Sequence, residues 1–291
     1  MYRGVYTALV TPFNTDKSVD EGALRALVDF QMDGGVTGIV PMGTTGESPT
    51  VTHDENIDVI RIVVDQVAGR AEVIAGTGSN STAEAVRMTR LAAEVGATAT
   101  LQVTPYYNKP TQEGLYAHFT TIADATDLRM VVYNIPGRSA CNIETDTMIR
   151  LADHPRIAAL KEASGNMAQV MDVCDRKPAG FDVLSGDDNL TLPILALGGV
   201  GVVSVASNIA PKLMGELVTA GLAQDYQRAR ELHYRLLPLF RGIFLQSNPI
   251  PVKHMLAAMG MIGEIYRLPL TPLNEADAAA VDAIVKKVRP E

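Results

Sequence analysis

The chain predicts a closed (β/α)8 barrel, a TIM barrel, with a C-terminal helical appendage. Three observations carry this prediction. Short apolar runs rich in β-branched residues recur along the first two-thirds of the sequence, and the segments between them have helical spacing. Helical spacing then continues past the eighth run, for longer than a barrel needs to close.

The apolar runs fall at residues 5–10, 37–41, 72–75, 99–103, 129–133, 157–160, 182–184 and 201–205. Strands covered on both faces read as continuous apolar runs, and alternation with amphipathic helices means a parallel sheet. Eight such units favour a closed barrel over an open sheet, and no GxGxxG motif opens the first βα turn. Helical periodicity covers 21–34, 54–68 and 82–95. Asp20, Ser81 or Thr82 with Glu84, and Thr111 ahead of 113–118, have the side chains that cap helix N-termini. Beyond the eighth strand, helices are expected over 211–220, 225–240, 249–259 and 274–288. The division is therefore a catalytic barrel over 1–223 and a helical region over 224–291 packed on it, with no linker tract or repeat between them.

With 291 residues, 47% hydrophobic and 20% charged, the composition is that of a globular protein able to bury a large core. A formal charge of −8, without runs of Lys or Arg, argues against a nucleic-acid partner. Cys141 and Cys174 are too few for a disulfide framework or a zinc site and fit a reducing compartment. The opening MYRGVYTALVTPF lacks the charged, apolar and small-residue order of a secretory signal, and no apolar stretch reaches the length of a membrane span. The expectation is a cytoplasmic protein with no membrane partner.

In a barrel of this kind, chemistry sits at the carboxyl ends of the strands. Polar residues concentrate there: Gly43-Thr44-Thr45-Gly46-Glu47-Ser48, Thr104 to Pro110, Tyr133 to Arg138, Lys161-Glu162-Ala163-Ser164, Ser185-Gly186-Asp187-Asp188 and Val203-Ser204. Lys161 emerges from the apolar run Ile157-Ala158-Ala159-Leu160. A lysine attacks a carbonyl only as the neutral amine, and desolvation in a barrel mouth favours that form. A strand-end lysine that snorkels to water is the common alternative. Tyr133 shifts the balance, because strands five and six are neighbours and their ends lie about 4.8 Å apart. A phenol beside the amine can move protons during imine formation.

The Gly43–Ser48 loop lets backbone N–H groups approach a carboxylate, with the Thr44 and Thr45 hydroxyls at hand; it lacks the Lys-Ser/Thr ending of a P-loop. Read alone, it is equally a glycine-rich turn. Arg138, between Gly137 and Ser139, has the fork that binds carboxylates, or it is a solvated surface residue. Asp187 and Asp188 read better as capping groups for a helix over 190–197 than as an acid–base pair. The histidines show no metal-ligand spacing and no nucleophile elbow is present, so no metal and no cofactor are expected.

Taken together, GVYTALVTPF, GTTGES, TPYYNKPTQEG, YNIPGR, KEASG, LSGDD, GVVSV and NPIPVKHML resemble the dihydrodipicolinate synthase family nearly end to end. That family lies within the pyruvate-dependent Schiff-base aldolases related to N-acetylneuraminate lyase. The resemblance implies a lyase that condenses pyruvate, held as a Lys161 imine, with aspartate semialdehyde. The product is 4-hydroxy-tetrahydrodipicolinate, on the route to diaminopimelate and lysine. It further implies Tyr133 as general acid–base and a proton relay through Thr44 and Tyr107, the latter reaching a neighbouring subunit's site. Thr45 and Val203 would contact pyruvate, Arg138 would receive the semialdehyde carboxylate, and Gly186 would line the pocket. Homotetramers built as dimers of dimers are implied as the assembly. A lysine effector site would comprise Ser48, His53, Asn80, Glu84 and Tyr106, while Asn56 departs from the His or Glu usual in inhibited members. Two other readings compete. One is a sugar-acid lyase of the N-acetylneuraminate type, disfavoured by Arg138 and the Tyr106-Tyr107 pair. The other is a non-catalytic sensing barrel, which would be expected to lose Lys161 or Tyr133.

Overall fold

The computed structural model describes residues 2–288. Eight strands are laid down in chain order: β1 (Gly4–Ala8), β2 (Gly38–Val40), β3 (Glu72–Gly76), β4 (Ala99–Val103), β5 (Arg129–Asn134), β6 (Ile157–Glu162), β7 (Asp182–Ser185) and β8 (Gly201–Ser204). Each pairs in parallel with its sequence neighbour, and β8 returns to β1, so the sheet closes into a barrel without an edge. The predicted strands are all present, and most of their ends agree within a residue or two, as expected of such boundaries. In β1 the last bond to β2 runs from the Leu9 amide to the Val40 carbonyl, and the chain then leaves the ladder. There the Val10 amide turns to Asn208 Oδ1 and the Thr11 hydroxyl to the Gly46 carbonyl, so side-chain partners replace the next strand bonds.

Helices α1 (Glu21–Asp33), α2 (His53–Val67), α3 (Thr82–Glu94), α4 (Gln112–Ala123), α5 (Pro136–Ser139), α6 (Thr145–Ala152), α7 (Met167–Arg176) and α8 (Thr191–Ala196) occupy the βα connections. Their starts follow the sequence. Asp20, Ser81 and Thr111 accept hydrogen bonds from the first turns of α1, α3 and α4, and Thr52 with Glu55 forms a reciprocal capping box on α2. The expected cap at Asp188 takes another form. Its carboxylate reaches across to β8, accepting from Ser204 Oγ and from the amides of Val205 and Ala206, and makes no bond to α8. Three donors at the end of β8 and just after it offer this buried charge more than one exposed helix end would.

After the barrel come α9 (Pro211–Leu222), α10 (Tyr226–Gly242), α11 (Ile250–Ala258) and α12 (Glu275–Val288). The expected boundary at 223/224 falls in the short turn between α9 and α10, two helices that pack on each other; residues 289–291 of the predicted helical region lie outside the described residues. We treat α10 to α12 as the appendage. Among the described residues, no helix is long and apolar enough to cross a membrane.

The appendage is fastened to the barrel mouth by charge. Lys253 on α11 and Glu47 in the loop after β2 form an ion pair in which both side chains are 0% exposed. The Lys253 ammonium also lies over the rings of Phe13 and Tyr266. Glu47 holds its position with a left-handed backbone, φ 57°, which a non-glycine residue adopts only when its surroundings fix it. Nearby, Arg267 spans Glu55, the Thr50 carbonyl and the Lys17 carbonyl.

Removing one member of a buried pair strands the other charge. Lys253→Met is therefore expected to cost about 3–5 kcal/mol in urea unfolding, and adding Glu47→Gln should recover part of the loss. A single replacement as stable as the parent chain would contradict this.

Candidate active site

Register decides which side chains meet in the lumen. Tyr133 on β5 is the direct partner of Lys161 on β6, and Lys161 pairs in turn with Leu184 on β7. Parallel partners point to the same face of a sheet, so phenol and amine are neighbours inside the barrel. The Lys161 Nζ lies over the Tyr133 ring, 3.9 Å from its centroid. Both residues are buried.

Burial sets the electrostatics. It draws the Lys161 ammonium down to about 8, against the opposing pull of the Asp187 and Asp188 carboxylates, with Arg138 adding to the fall. Burial also raises the Tyr133 phenol above its ordinary value, while Arg138 and the Thr44 hydroxyl lower it. Asp188 is pushed up to about 6 by burial, in spite of its three donors. Asp187 is raised by burial and lowered by Lys161.

The cavity around Lys161 is lined by Thr44, Thr45, Tyr133, Arg138 and Gly186, all singled out from the sequence. Gly186 has a steric reason to be glycine. A Cβ there would lie 2.8 Å from the Ala163 Cβ and 3.2 Å from the Lys161 Cε, so a side chain would crowd the amine. Thr45 is buried, and its Oγ1 accepts from Asn248 Nδ2 at 2.9 Å. Val203 is buried in the lumen opposite Tyr6 but does not line this cavity; Val205 does.

Tyr107 is not brought to the site. It is 90% exposed on the loop after β4, with φ 74°, and Tyr106 beside it is also exposed. A left-handed, outward-held tyrosine is costly in a lone chain.

A second and larger cavity, about 440 Å³, lies to one side and does not contain Lys161. It is lined by Ser48, His53, Asn56, Glu84 and Tyr106, and it meets the lysine cavity along Thr44, Ile135 and Arg138. His53 Nε2 is 2.9 Å from Glu84 Oε1. Asn80 stands behind this wall, its Nδ2 donating to the Tyr106 carbonyl. The size difference does not decide which cavity is catalytic: the smaller one holds the perturbed amine and its phenol.

Sequence reading missed Asn248, which joins Thr45 to Arg138: its carbonyl accepts from Arg138 Nη2 at 3.3 Å. It also passed over Asp187 as a lining residue and Phe244 at the rim. The NPIPVK segment was visible, but nothing local in it points toward the strand ends of β2 and β5. Among the described residues, no group of three or more His, Cys, Asp or Glu is arranged to hold a metal ion.

A desolvated lysine against a tyrosine at the carboxyl ends of adjacent strands of a parallel barrel is the arrangement of Schiff-base-forming lyases of the class I aldolase type. The sequence model of the dihydrodipicolinate synthetase family matches residues 1–288, and the chain belongs to that family. It is 55% identical over 283 residues to the 4-hydroxy-tetrahydrodipicolinate synthase of Koribacter versatilis, covering 97% of this chain and 94% of that protein. The dihydrodipicolinate synthase structure from Aquifex aeolicus superposes with a TM-score of 0.97 at 47% identity, covering 98% of each chain. The enzyme from Acinetobacter baumannii, solved complexed with pyruvate, superposes with a TM-score of 0.97 at 41% identity over 99% of both chains.

An ammonium cannot attack a carbonyl, so the rate of imine formation with a small ketoacid should rise with pH and level off above about 8. The checking measurement is the initial rate of imine formation against pH. An ordinary, solvated lysine would keep gaining rate toward about 10.4.

Proposed function

We propose that the chain is a 4-hydroxy-tetrahydrodipicolinate synthase, joining pyruvate to aspartate semialdehyde through an imine on Lys161. The observation that carries this reading is the Lys161 amine, drawn down to about 8 and held over the Tyr133 ring. The neutral amine adds to the ketone of pyruvate, and the carbinolamine loses water. Tyr133 supplies and recovers the protons of that step, with the Thr44 hydroxyl next in line. Loss of a methyl proton converts the imine to an enamine, whose carbon attacks the aldehyde. The amino group of the joined product then attacks the imine carbon and displaces Lys161, closing the ring and freeing the enzyme. Thr45 and the Gly43–Ser48 loop amides hold the pyruvate carboxylate, with Val203 on its far side. Arg138 holds the carboxylate of the aldehyde, and Gly186 leaves room beside the amine.

The outward Tyr107 fits a role in a second copy of the chain, completing the relay of Thr44 and Tyr133 across an interface. This supports a homotetramer built as a dimer of dimers. The larger cavity suits an effector better than a substrate, since it holds Ser48, His53, Glu84 and Tyr106, with Asn80 behind them, but not Lys161; lysine is the ligand this reading assigns to it. A cytoplasmic location fits two cysteines that form no disulfide.

The test is pyruvate consumption with aspartate semialdehyde, compared with N-acetylmannosamine under the same conditions. A strong preference for the semialdehyde is expected. Arg138→Ala should then raise the KM for the semialdehyde by about 10- to 100-fold, the loss of a charge-assisted bidentate contact, and change the KM for pyruvate much less. Preference for the sugar would keep the barrel and the imine but overturn the second substrate.

A further inference from the structure

The appendage holds a cluster of ionisable side chains that the chemistry above does not use. At its centre is His254 on α11, whose side chain is 12% exposed and whose two ring nitrogens both face carboxylates. Nδ1 lies 2.9 Å from Glu264 Oε1, and Nε2 lies 3.2 Å from Asp282 Oδ1 on α12. A carboxylate only accepts, so both contacts are made together only by the doubly protonated ring. The two carboxylates meet different ring nitrogens and do not converge on one point, so the cluster is a clamp on an imidazole and not a metal centre. Glu264 Oε1 also accepts from the Tyr266 hydroxyl at 3.4 Å, and that hydroxyl lies 3.1 Å from the Ile250 carbonyl at the start of α11.

From this cluster a continuous set of contacts reaches the barrel mouth. Lys253 and His254 are consecutive on α11, so their side chains leave the helix about 100° apart. One is buried against Glu47, and the other meets α12. The Tyr266 ring lies 5.2 Å from the Lys253 ammonium, on which Phe13 also packs at 4.4 Å. Glu47 follows Thr44 and Thr45 in the same loop, so the seating of α11 sets how that loop is held. A charged cluster is a poorer source of stability than apolar packing, and its use here points to position. None of His254, Glu264 and Asp282 lines the Lys161 cavity, so their influence on the chemistry passes through α11.

We propose that His254 is a positioning residue for the active site. Clamped between Glu264 and Asp282, it fixes α11 against α12, and through Lys253 and Glu47 it holds the Thr44–Thr45 loop in the position that receives pyruvate. It touches no reacting atom. The inference rests on the proposed condensation for the identity of the ligand that the loop holds. With one ring N–H lost, one carboxylate is released, α11 is held on one side only, and the loop spends part of its time out of place. Apparent affinity falls by the fraction of chains in the competent position. Lys161 and Tyr133 are fixed by their own strands, β6 and β5, so the chemical step survives once pyruvate is bound. The signature is weaker pyruvate binding with kcat nearly unchanged.

The test measures the pyruvate concentration that half-saturates borohydride trapping at Lys161, together with kcat of the condensation. The chains compared are the parent, His254→Gln, Asp282→Asn, Glu47→Gln and the double variant of His254→Gln with Glu47→Gln. His254→Gln, whose amide can donate to one carboxylate only, should raise the half-saturating concentration about three- to tenfold and leave kcat within about twofold. Asp282→Asn should shift it in the same direction. In the Glu47→Gln background, His254→Gln should add little, because the link to the loop is already cut. If the variants lower Tm but leave half-saturation unchanged, the cluster only stabilises the appendage and the proposal fails. If kcat falls instead, or the two single effects multiply in the double variant, the influence does not pass through Glu47 and the proposal also fails. Should His254→Gln not fold, Asp282→Asn decides by the same constants, alone and combined with Glu47→Gln. A parent chain that traps no pyruvate would instead refute the condensation itself.

Discussion

A lysine amine held out of water inside a closed barrel is the constraint on which the rest of this structure depends. An exposed lysine is almost entirely ammonium at neutral pH, and the largest influence that makes this one a nucleophile is the loss of its hydration, with the Arg138 charge adding to it. The fold achieves this by placing Lys161 near the end of β6, where the walls are strands and the ceiling is a set of short loops. Closure matters because an open sheet would leave the amine wet on one side. The same burial keeps Tyr133 protonated, so that beside a neutral amine the site holds a proton donor. Opposing carboxylates at Asp187 and Asp188 stop the amine from falling further, which leaves it near 8.

The C-terminal helices have a part in this chemistry that their position in the sequence does not suggest. Through Glu47 and Lys253, α11 grips the loop that carries Thr44 and Thr45; through Asn248, the segment just before it grips Thr45 and Arg138. These contacts join residues more than 100 positions apart, and they fix the groups expected to hold the two substrate carboxylates. A buried ion pair is a poor source of stability when set against apolar packing, so its use here points to specificity of position. The loop backbone supports that view, since Glu47 sits in a left-handed conformation that the pair and the Thr50 hydroxyl fix in place.

Much of the fold was legible in the sequence because a parallel barrel writes its strands as continuous apolar runs. Lys161 and Tyr133 were legible as a pair for a related reason: consecutive strands are neighbours, so two strand-end residues can be placed together without coordinates. What stayed hidden depends on distant contacts. The bonds from Asn248 to Thr45 and Arg138 are facts of three-dimensional packing, and nothing in an Asn-Pro-Ile-Pro segment announces them. Asp188 reads in the sequence as a cap for the nearest helix, whereas its donors lie at the end of β8 and just after it, 16 to 18 residues away. Tyr107 enters through family resemblance alone; in a single chain it is 90% exposed and lines neither the Lys161 cavity nor the larger one beside it.

The most direct test of this account is to mix the protein with pyruvate, reduce with borohydride and locate the added mass by peptide sequencing. The account predicts one pyruvate-derived adduct per chain, on Lys161, and none in Lys161→Arg. Adducts spread over several surface lysines, or full labelling in the variant, would contradict the claim that this one desolvated amine carries the reaction.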